Sequence, residues 1–205
     1  MEVHDGLSLD ALVDGVADHG WALAPHFLDA GEVGALRAEA VRLDDAFRQA
    51  GTGRGGDHQV RTGVRGDQIL WLDPLTEAPG PRRYLDRMAG LQQALNRALF
   101  LGLFSYEAHF AVYPPGAFYA RHLDAFHGHG KGRALSCVLY LNEGWDDADG
   151  GHLRLYLDGE EPEPFVDVTP EAGTLAVFLS ERFEHEVLPA TRERMSVTGW
   201  FSVRP

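Results

Sequence analysis

Cysteine is almost missing from this chain. Cys137 stands alone among 205 residues, so no intrachain disulfide can form and a reducing, cytoplasmic setting is expected. Long apolar runs are missing too: no stretch approaches the ~18 residues a bilayer span needs. The first residues, Met1 to Asp5, lack the basic and apolar regions of a secretory signal. Positive charge is scarce, with 18 Lys and Arg against 31 Asp and Glu, a formal net charge of −13. Such a surface repels phosphate backbones and anionic lipid, so neither nucleic acid nor membrane is expected as a partner. No repeat or low-complexity tail is visible. What remains is ordinary globular usage, 44% hydrophobic and 24% charged residues, sufficient for a sizeable core. The length fits one domain spanning 1–205, expected to be a monomer.

Glycine and proline are plentiful, 24 and 11 residues, against about 12% of an average chain together, and the surplus points to many turns. The first hundred residues nevertheless read as largely helical. Leu9, Leu12, Val13 and Val16 form one apolar stripe that ends at Gly20. Trp21–Leu28 reads as a short strand. Asp29 and Glu32 have capping-box spacing ahead of Val33, Leu36, Ala40, Leu43 and Phe47. A third helix, from about Pro81 to Leu99, carries Tyr84, Met88, Leu91, Leu95 and Leu99 on one face. From Leu103 the period changes from helical to alternating. Ser105–Tyr113, Tyr119–Asp124, Ala134–Leu141, His152–Leu157, Phe165–Val168, Thr174–Leu179, His185–Leu188 and Met195–Val203 are short, rich in aromatic and β-branched residues, and separated by turn clusters. The expected fold is therefore mainly β, a jelly roll, sandwich or barrel over 103–203 with about three supporting helices. No helix-length segment separates these strands, which argues against a βαβ arrangement.

Between Ala50 and Gly66 lies a glycine-rich, basic segment holding Arg54, Arg61 and Arg65. Its Gly51, Gly53 and Gly56 match a dinucleotide fingerprint in spacing only, because the segment follows a helix rather than a strand. It reads either as a solvated mobile loop or as a lid over a site.

Chemistry concentrates at His122-Leu123-Asp124. In a strand, residues i and i+2 project to one side, so an imidazole and a carboxylate can address one ion. His185, 61 positions beyond Asp124 on a late strand, is the third candidate. Two histidines and a carboxylate on one octahedral face suit non-haem Fe(II) and leave three adjacent positions open, whereas zinc is usually tetrahedral with one. Arg194 follows across a turn and shares a face with Ser196, Thr198 and Trp200. Its guanidinium suits a carboxylate held by two parallel hydrogen bonds, or else pairs with Glu186 or Glu193. Tyr140, with face-mates Ser136 and Val138, offers a phenol to the same carboxylate or is simply a core tyrosine.

The ordered set Tyr113-Pro-Pro-Gly, Tyr119-Ala-Arg-His122-Leu-Asp124, Gly132-Arg133, Tyr140-Leu-Asn142, Trp145-Asp146, Gly150-Gly151-His-Leu153-Arg154, His185-Glu186-Val187, Arg194 and Trp200-Phe201 resembles the prolyl hydroxylase-domain family of Fe(II)- and 2-oxoglutarate-dependent oxygenases, in its bacterial branch. The resemblance runs from about Asp67 to Phe201, with Asp67–Trp71 matching a strand that leads into the family core. It implies a double-stranded β-helix backed by helices. It implies His122, Asp124 and His185 as catalytic iron ligands, and Arg194 and Tyr140 as holders of the distal carboxylate of 2-oxoglutarate. Thr198, Val138, Leu153 and Tyr113 would line that pocket, and Tyr119, Arg133, Trp200 and Asp67 would lie on the substrate side. The implied cosubstrates are 2-oxoglutarate and O2, with ascorbate as a supporting reductant. The implied substrate is a proline in a protein loop, in elongation factor Tu for a bacterial member or in a hypoxia-inducible factor for an animal one. The chain departs from the animal pattern after Trp200, where Phe201 stands alone, and in Ala125–Lys131, whose His127 and His129 read as solvated residues rather than ligands. The rival functions are oxygenation of a free amino acid or an alkylated nucleic acid, and a cupin-like module that binds a metal or small acid without turnover.

Overall fold

The structure, a computed structural model, describes residues 9–51, 63–125, 132–159 and 163–204. Arg54, Arg61, His127 and His129 lie outside the described residues. Three helices form as their stripes require: α1 (Leu9–His19), α2 (Ala30–Arg42) and α3 (Pro79–Leu99). The Asp29–Glu32 capping box is complete, with the Glu32 amide donating to Asp29 Oδ1 at 2.8 Å and the Asp29 amide to Glu32 Oε2 at 3.1 Å. Helix α2 stops at Arg42, and a 3-10 turn, Asp44–Ala46, brings the chain to Phe47.

Among the described residues, eleven strands build two antiparallel sheets. They are β1 (Trp21–Ala24), β2 (Arg48–Gln49), β3 (Gln68–Trp71), β4 (Leu103–Tyr113), β5 (Tyr119–His122), β6 (Arg133–Tyr140), β7 (Leu153–Tyr156), β8 (Phe165–Val168), β9 (Leu175–Leu179), β10 (His185–Val187) and β11 (Arg194–Val203). The larger sheet has the order β1-β9-β6-β11-β4-β3-β2 and the smaller one β5-β10-β7-β8. The jelly-roll strands expected after Leu103 are all present. In the N-terminal part, β1 falls within the short strand expected at Trp21–Leu28 and extends one edge of the larger sheet. Strand β3 falls within the expected Asp67–Trp71 strand and pairs at the other edge with β2, which the helical reading of that stretch did not include. A strand as short as β2 or β3 is stabilised by the sheet it joins rather than by its own pattern.

Alternation along the strands divides the apolar residues into two cores. On the back of the larger sheet, Phe110, Leu135, Cys137, Leu139, Val197 and Phe201 pack against Leu36, Tyr84, Met88, Leu91 and Leu95 of the helices. All of these are almost completely buried, so Leu91→Ala should cost about 2–5 kcal/mol. Gly199 belongs to this side by necessity: a Cβ there would sit 2.4 Å from the Tyr106 hydroxyl. Between the two sheets, Ala111, Tyr113, Val138, Tyr140, Leu153, Leu155 and Phe178 form the second core. Its walls are the inner face of the larger sheet and the whole of the smaller one.

Candidate metal and cosubstrate site

The smaller sheet brings the three predicted ligands together. Strand β10 pairs with β5 so that His185 lies directly opposite His122, and Asp124 follows two residues after β5. Nε2 of His122 is 3.7 Å from Asp124 Oδ1, and Nε2 of His185 is 3.5 Å from Oδ2. One ligand atom from each residue lies within 4.8 Å of the others, the only such cluster of three or more among the described residues. Both rings are oriented by local carbonyls. Nδ1 of His122 is 2.7 Å from the Ala120 carbonyl, and Nδ1 of His185 is 3.2 Å from that of Phe183. A carbonyl only accepts, so each Nδ1 carries the proton and each Nε2 keeps its lone pair for an ion. Tyr119 stacks on His122 at 3.7 Å, and Phe178 meets His185 edge-on at 4.7 Å.

The electrostatics favour a ready ligand set. Burial first, and then the neighbouring His185, pushes the His122 imidazole down to about 4, so the ring is neutral at physiological pH. Burial pushes Asp124 upward, yet His185, His122 and the Ser136 hydroxyl outweigh it and hold the carboxyl below its ordinary value. A neutral His122 imidazole beside an ionised Asp124 carboxylate is a protonation state that metal binding needs.

Arg194, Tyr140 and Tyr113 lie behind this cluster on the inner face of the larger sheet. Arg194 is 1% exposed and donates from Nε to the Gly151 carbonyl at 2.8 Å. Gly151 has φ +69°, and a Cβ there would come within 3.3 Å of the Arg194 side chain, so glycine is required where the carbonyl turns toward the guanidinium. Among the described residues no carboxylate pairs with Arg194; Glu186 instead accepts from the Tyr156 hydroxyl at 2.6 Å. The guanidinium carbon sits 5.2 Å from the ring centres of both Tyr113 and Tyr140. Among the described residues, Arg194 Nη2 and the Tyr140 hydroxyl are buried with no hydrogen-bond partner. Burial raises the Tyr140 phenol to about 12, so it is a neutral donor. Unpaired buried donors cost about 1–3 kcal/mol each. Two such donors side by side fit an acidic ligand that supplies acceptors. Val138, Leu153 and Tyr113 share this core, and Thr198 stands opposite Val138 in register. The set fits a metal chelated by a 2-oxo acid whose distal carboxylate meets Arg194 and Tyr140.

Further along the same face the character changes. Trp71, 51% exposed, meets His109 at 5.0 Å, and Trp200 lies 6.4 Å from Trp71 and 5.5 Å from His109. Arg133 stacks over Trp200 at 3.6 Å and reaches Glu107 at 3.1 Å. Arg133 Nε and Trp200 Nε1 are a second pair of buried donors without partners, and the indole N–H leans toward Asp124 without completing a bond. Asp67 and Arg65 correct two sequence expectations. Asp67 is fully buried, with both oxygens in the Arg65 fork at 2.7 and 2.6 Å. Arg65 also covers the Tyr119 ring at 4.4 Å, so it is a fixed strut rather than a free cation of a lid. Asp67 contributes placement of Arg65 instead of a surface for substrate. Sequence reasoning missed His109, whose alternation with Ala111 and Tyr113 was the available signal. It also missed Ser180, which a turn serine does not announce.

A jelly roll with a His-Asp-His cluster facing a buried arginine and tyrosine defines a non-haem metal-dependent oxygenase scaffold, and sequence comparison agrees. Residues 108–202 match the 2OG-Fe(II) oxygenase superfamily model. Mouse Egl nine homolog 1 is 31% identical over 211 residues, 95% of this chain but 50% of the relative, so the chain spans about half the length of that curated relative. A solved Pseudomonas putida prolyl-4-hydroxylase is 49% identical, covering 96% of this chain and all of the other, with a TM-score of 0.85. A Trichoplax adhaerens prolyl hydroxylase, solved with a hypoxia inducible factor peptide fragment, is 26% identical over 95% of this chain and 88% of its own, at a TM-score of 0.81. The chain belongs to the 2OG-Fe(II) oxygenase superfamily.

Proposed function

We propose that this protein is a prolyl hydroxylase acting on a proline in a protein loop. The observation that carries the reading is the presence, in and around the core between the two sheets, of both the His122–Asp124–His185 cluster and two orphaned donors, Arg194 Nη2 and the Tyr140 hydroxyl. His122, Asp124 and His185 would hold Fe(II). Arg194 and Tyr140 would receive the distal carboxylate of 2-oxoglutarate, with Thr198, Val138, Leu153 and Tyr113 as its walls. When bound, these groups supply the oxidation: O2 and 2-oxoglutarate give succinate and CO2, and one oxygen atom enters a substrate C–H bond. The protein's own contribution is position, charge neutralisation and a dry wall. Arg194 neutralises an incoming dicarboxylate, Tyr140 donates to it, and the two carbonyl-fixed imidazoles keep their lone pairs aimed at one point.

The prolyl assignment is supported by the prolyl hydroxylases among the relatives and by the face beyond the metal cluster. There Trp71 offers exposed flat apolar surface beside Trp200 and Tyr119, whose rings Arg133 and Arg65 cover. The partnerless Arg133 Nε and Trp200 Nε1 would supply donors for a substrate carbonyl once those side chains shift. A proline ring flanked by peptide carbonyls matches both. Elongation factor Tu is the proposed substrate, resting on the bacterial character of the sequence resemblance and on the Pseudomonas relative. The net charge of −13 disfavours an oxygenase for alkylated nucleic acid.

The test is aerobic incubation with Fe(II) and 2-oxoglutarate, with purified elongation factor Tu, a hypoxia-inducible factor peptide, or neither. Succinate and oxidised prolines are scored by mass spectrometry. Succinate that rises with a protein substrate, matched by hydroxyproline, supports the reading. Succinate without any modified protein transfers the activity to a free amino acid or other small molecule, and none from iron-loaded protein leaves a binding module.

A further inference from the structure

Asp124 poses a mechanical problem. The β5 ladder ends at His122, so no strand pairing fixes the residue that must face both histidines. Its carboxylate is instead held from the facing sheet. Ser136, on the inner face of β6, donates its hydroxyl to Asp124 Oδ2 at 2.7 Å. The Ser136 oxygen lies 2.9 Å from the hydroxyl of Ser180, in the turn after β9, and both serines are 0% exposed.

The direction of this chain follows from proton counting. A serine hydroxyl has one proton and two acceptor sites. With the Ser136 proton on the carboxylate, the second bond requires Ser180 to be its donor. Ser180 is fixed in turn, since its amide donates to the Ala134 carbonyl of β6 at 3.0 Å. The segment that Ser180 opens leads within five residues to His185, whose ring is oriented by the Phe183 carbonyl. The two hydroxyls therefore tie the carboxylate to the turn that delivers the second histidine.

We propose that Ser136 and Ser180 form a directed hydroxyl relay that positions Asp124 for metal binding. Ser136 orients the carboxylate, and Ser180 acts only through Ser136 by holding its proton in the productive direction. Both are positioning residues, and the inference rests on the reading of Asp124 as a metal ligand. A neutral hydroxyl donor also leaves the carboxylate ionised, as a ligand must be, where a cation in that place would compete with the metal for it.

Mn(II) binding to the full-length apo protein, followed by electron paramagnetic resonance, tests this without turnover. Ser136→Ala should weaken Mn(II) binding about 10- to 100-fold, and Ser136→Thr, which keeps a hydroxyl, should recover most of the loss. Ser180→Ala should show a smaller loss. The double variant should bind no more weakly than Ser136→Ala alone, because the second hydroxyl has nothing left to direct. Apo melting temperatures of the variants should stay close to that of the parent. Unchanged Mn(II) affinity in Ser136→Ala, or losses that simply add in the double variant, overturns the relay while leaving the metal site intact. Should Ser136→Ala fail to fold, Ser180→Ala carries the test, unchanged affinity there overturning the relay. A parent protein that binds no Mn(II) removes the metal-site reading itself, and the relay with it.

Discussion

The inner face of the larger sheet has two halves that differ in almost every physical respect. Toward the Arg194 end of β11, the smaller sheet covers it, and Arg194, Tyr140, Tyr113 and Ser196 are all buried to 5% exposure or less. Toward the Trp200 end the smaller sheet no longer reaches, and Trp71, Arg133 and Glu107 meet solvent around the buried His109 and Trp200. The first half holds a few fixed donors in a dry wall, which suits a small dicarboxylate of invariant shape. The second half holds aromatic faces and stacked cations, which suits a larger partner that brings its own backbone. On the proposed function, one sheet face would separate recognition of the cosubstrate from recognition of the substrate.

The largest expected effect breaks both halves at once. Asp124→Ala removes the carboxylate between the two histidines, and succinate formation in that variant should fall to background. Next comes a difference in acid stability. Burial, with Arg65 nearby, depresses His109 to about 4 in the folded chain, whereas an unfolded histidine titrates near 6.5. Between those values the unfolded state binds more protons, so folded stability falls as pH drops through 6.5 toward 4. The loss from His109 is at most about 3 kcal/mol. Apo-protein denaturation curves at pH 7 and pH 4.5 should show a smaller pH-dependent drop in His109→Gln. An unchanged drop would mean that the histidine is not held neutral in the outer half.

Arg194→Ala should raise the 2-oxoglutarate requirement about 10- to 100-fold, the worth of charge-assisted bonds to a carboxylate. Steady-state kinetics that leave the KM for 2-oxoglutarate unchanged would remove the arginine from the cosubstrate site. Trp71→Ala, on the other half, should weaken the protein substrate by about tenfold at most with the 2-oxoglutarate requirement unmoved. Tyr140→Phe gives the smallest change, about 2- to 10-fold in the KM for 2-oxoglutarate, since it removes one neutral donor.

Legibility in the sequence followed the same division. The buried half could be read because period-2 alternation fixes which side chains share a face. Arg194, Ser196, Thr198 and Trp200 do share one, and His122 and Asp124 sit on either side of Leu123 as the spacing required. The metal cluster needed one long-range contact, His185 against His122, and strand order supplied it. The outer half resisted reading because its contacts join residues distant in the chain. Arg65 was visible only as one cation of a glycine-rich loop, yet it is locked on Asp67; the stacking of Arg133 on Trp200 has no local pattern. Ser136 was visible as a face-mate of Tyr140, but its partners Asp124 and Ser180 come from other strands' ends. The edge strands β2 and β3 escaped a purely periodic reading because two to four residues are too few to show one.

The division itself is tested most directly by a double-mutant cycle on Arg194→Ala and Trp71→Ala, read as kcat/KM for substrate hydroxylation. The two positions lie opposite Tyr113 and His109 of β4, four residues or about 13 Å apart along one strand. The account predicts that their losses add to within about 0.5 kcal/mol, as for independent sites. A coupling of about 1 kcal/mol or more would contradict it, and would make the face a single recognition surface.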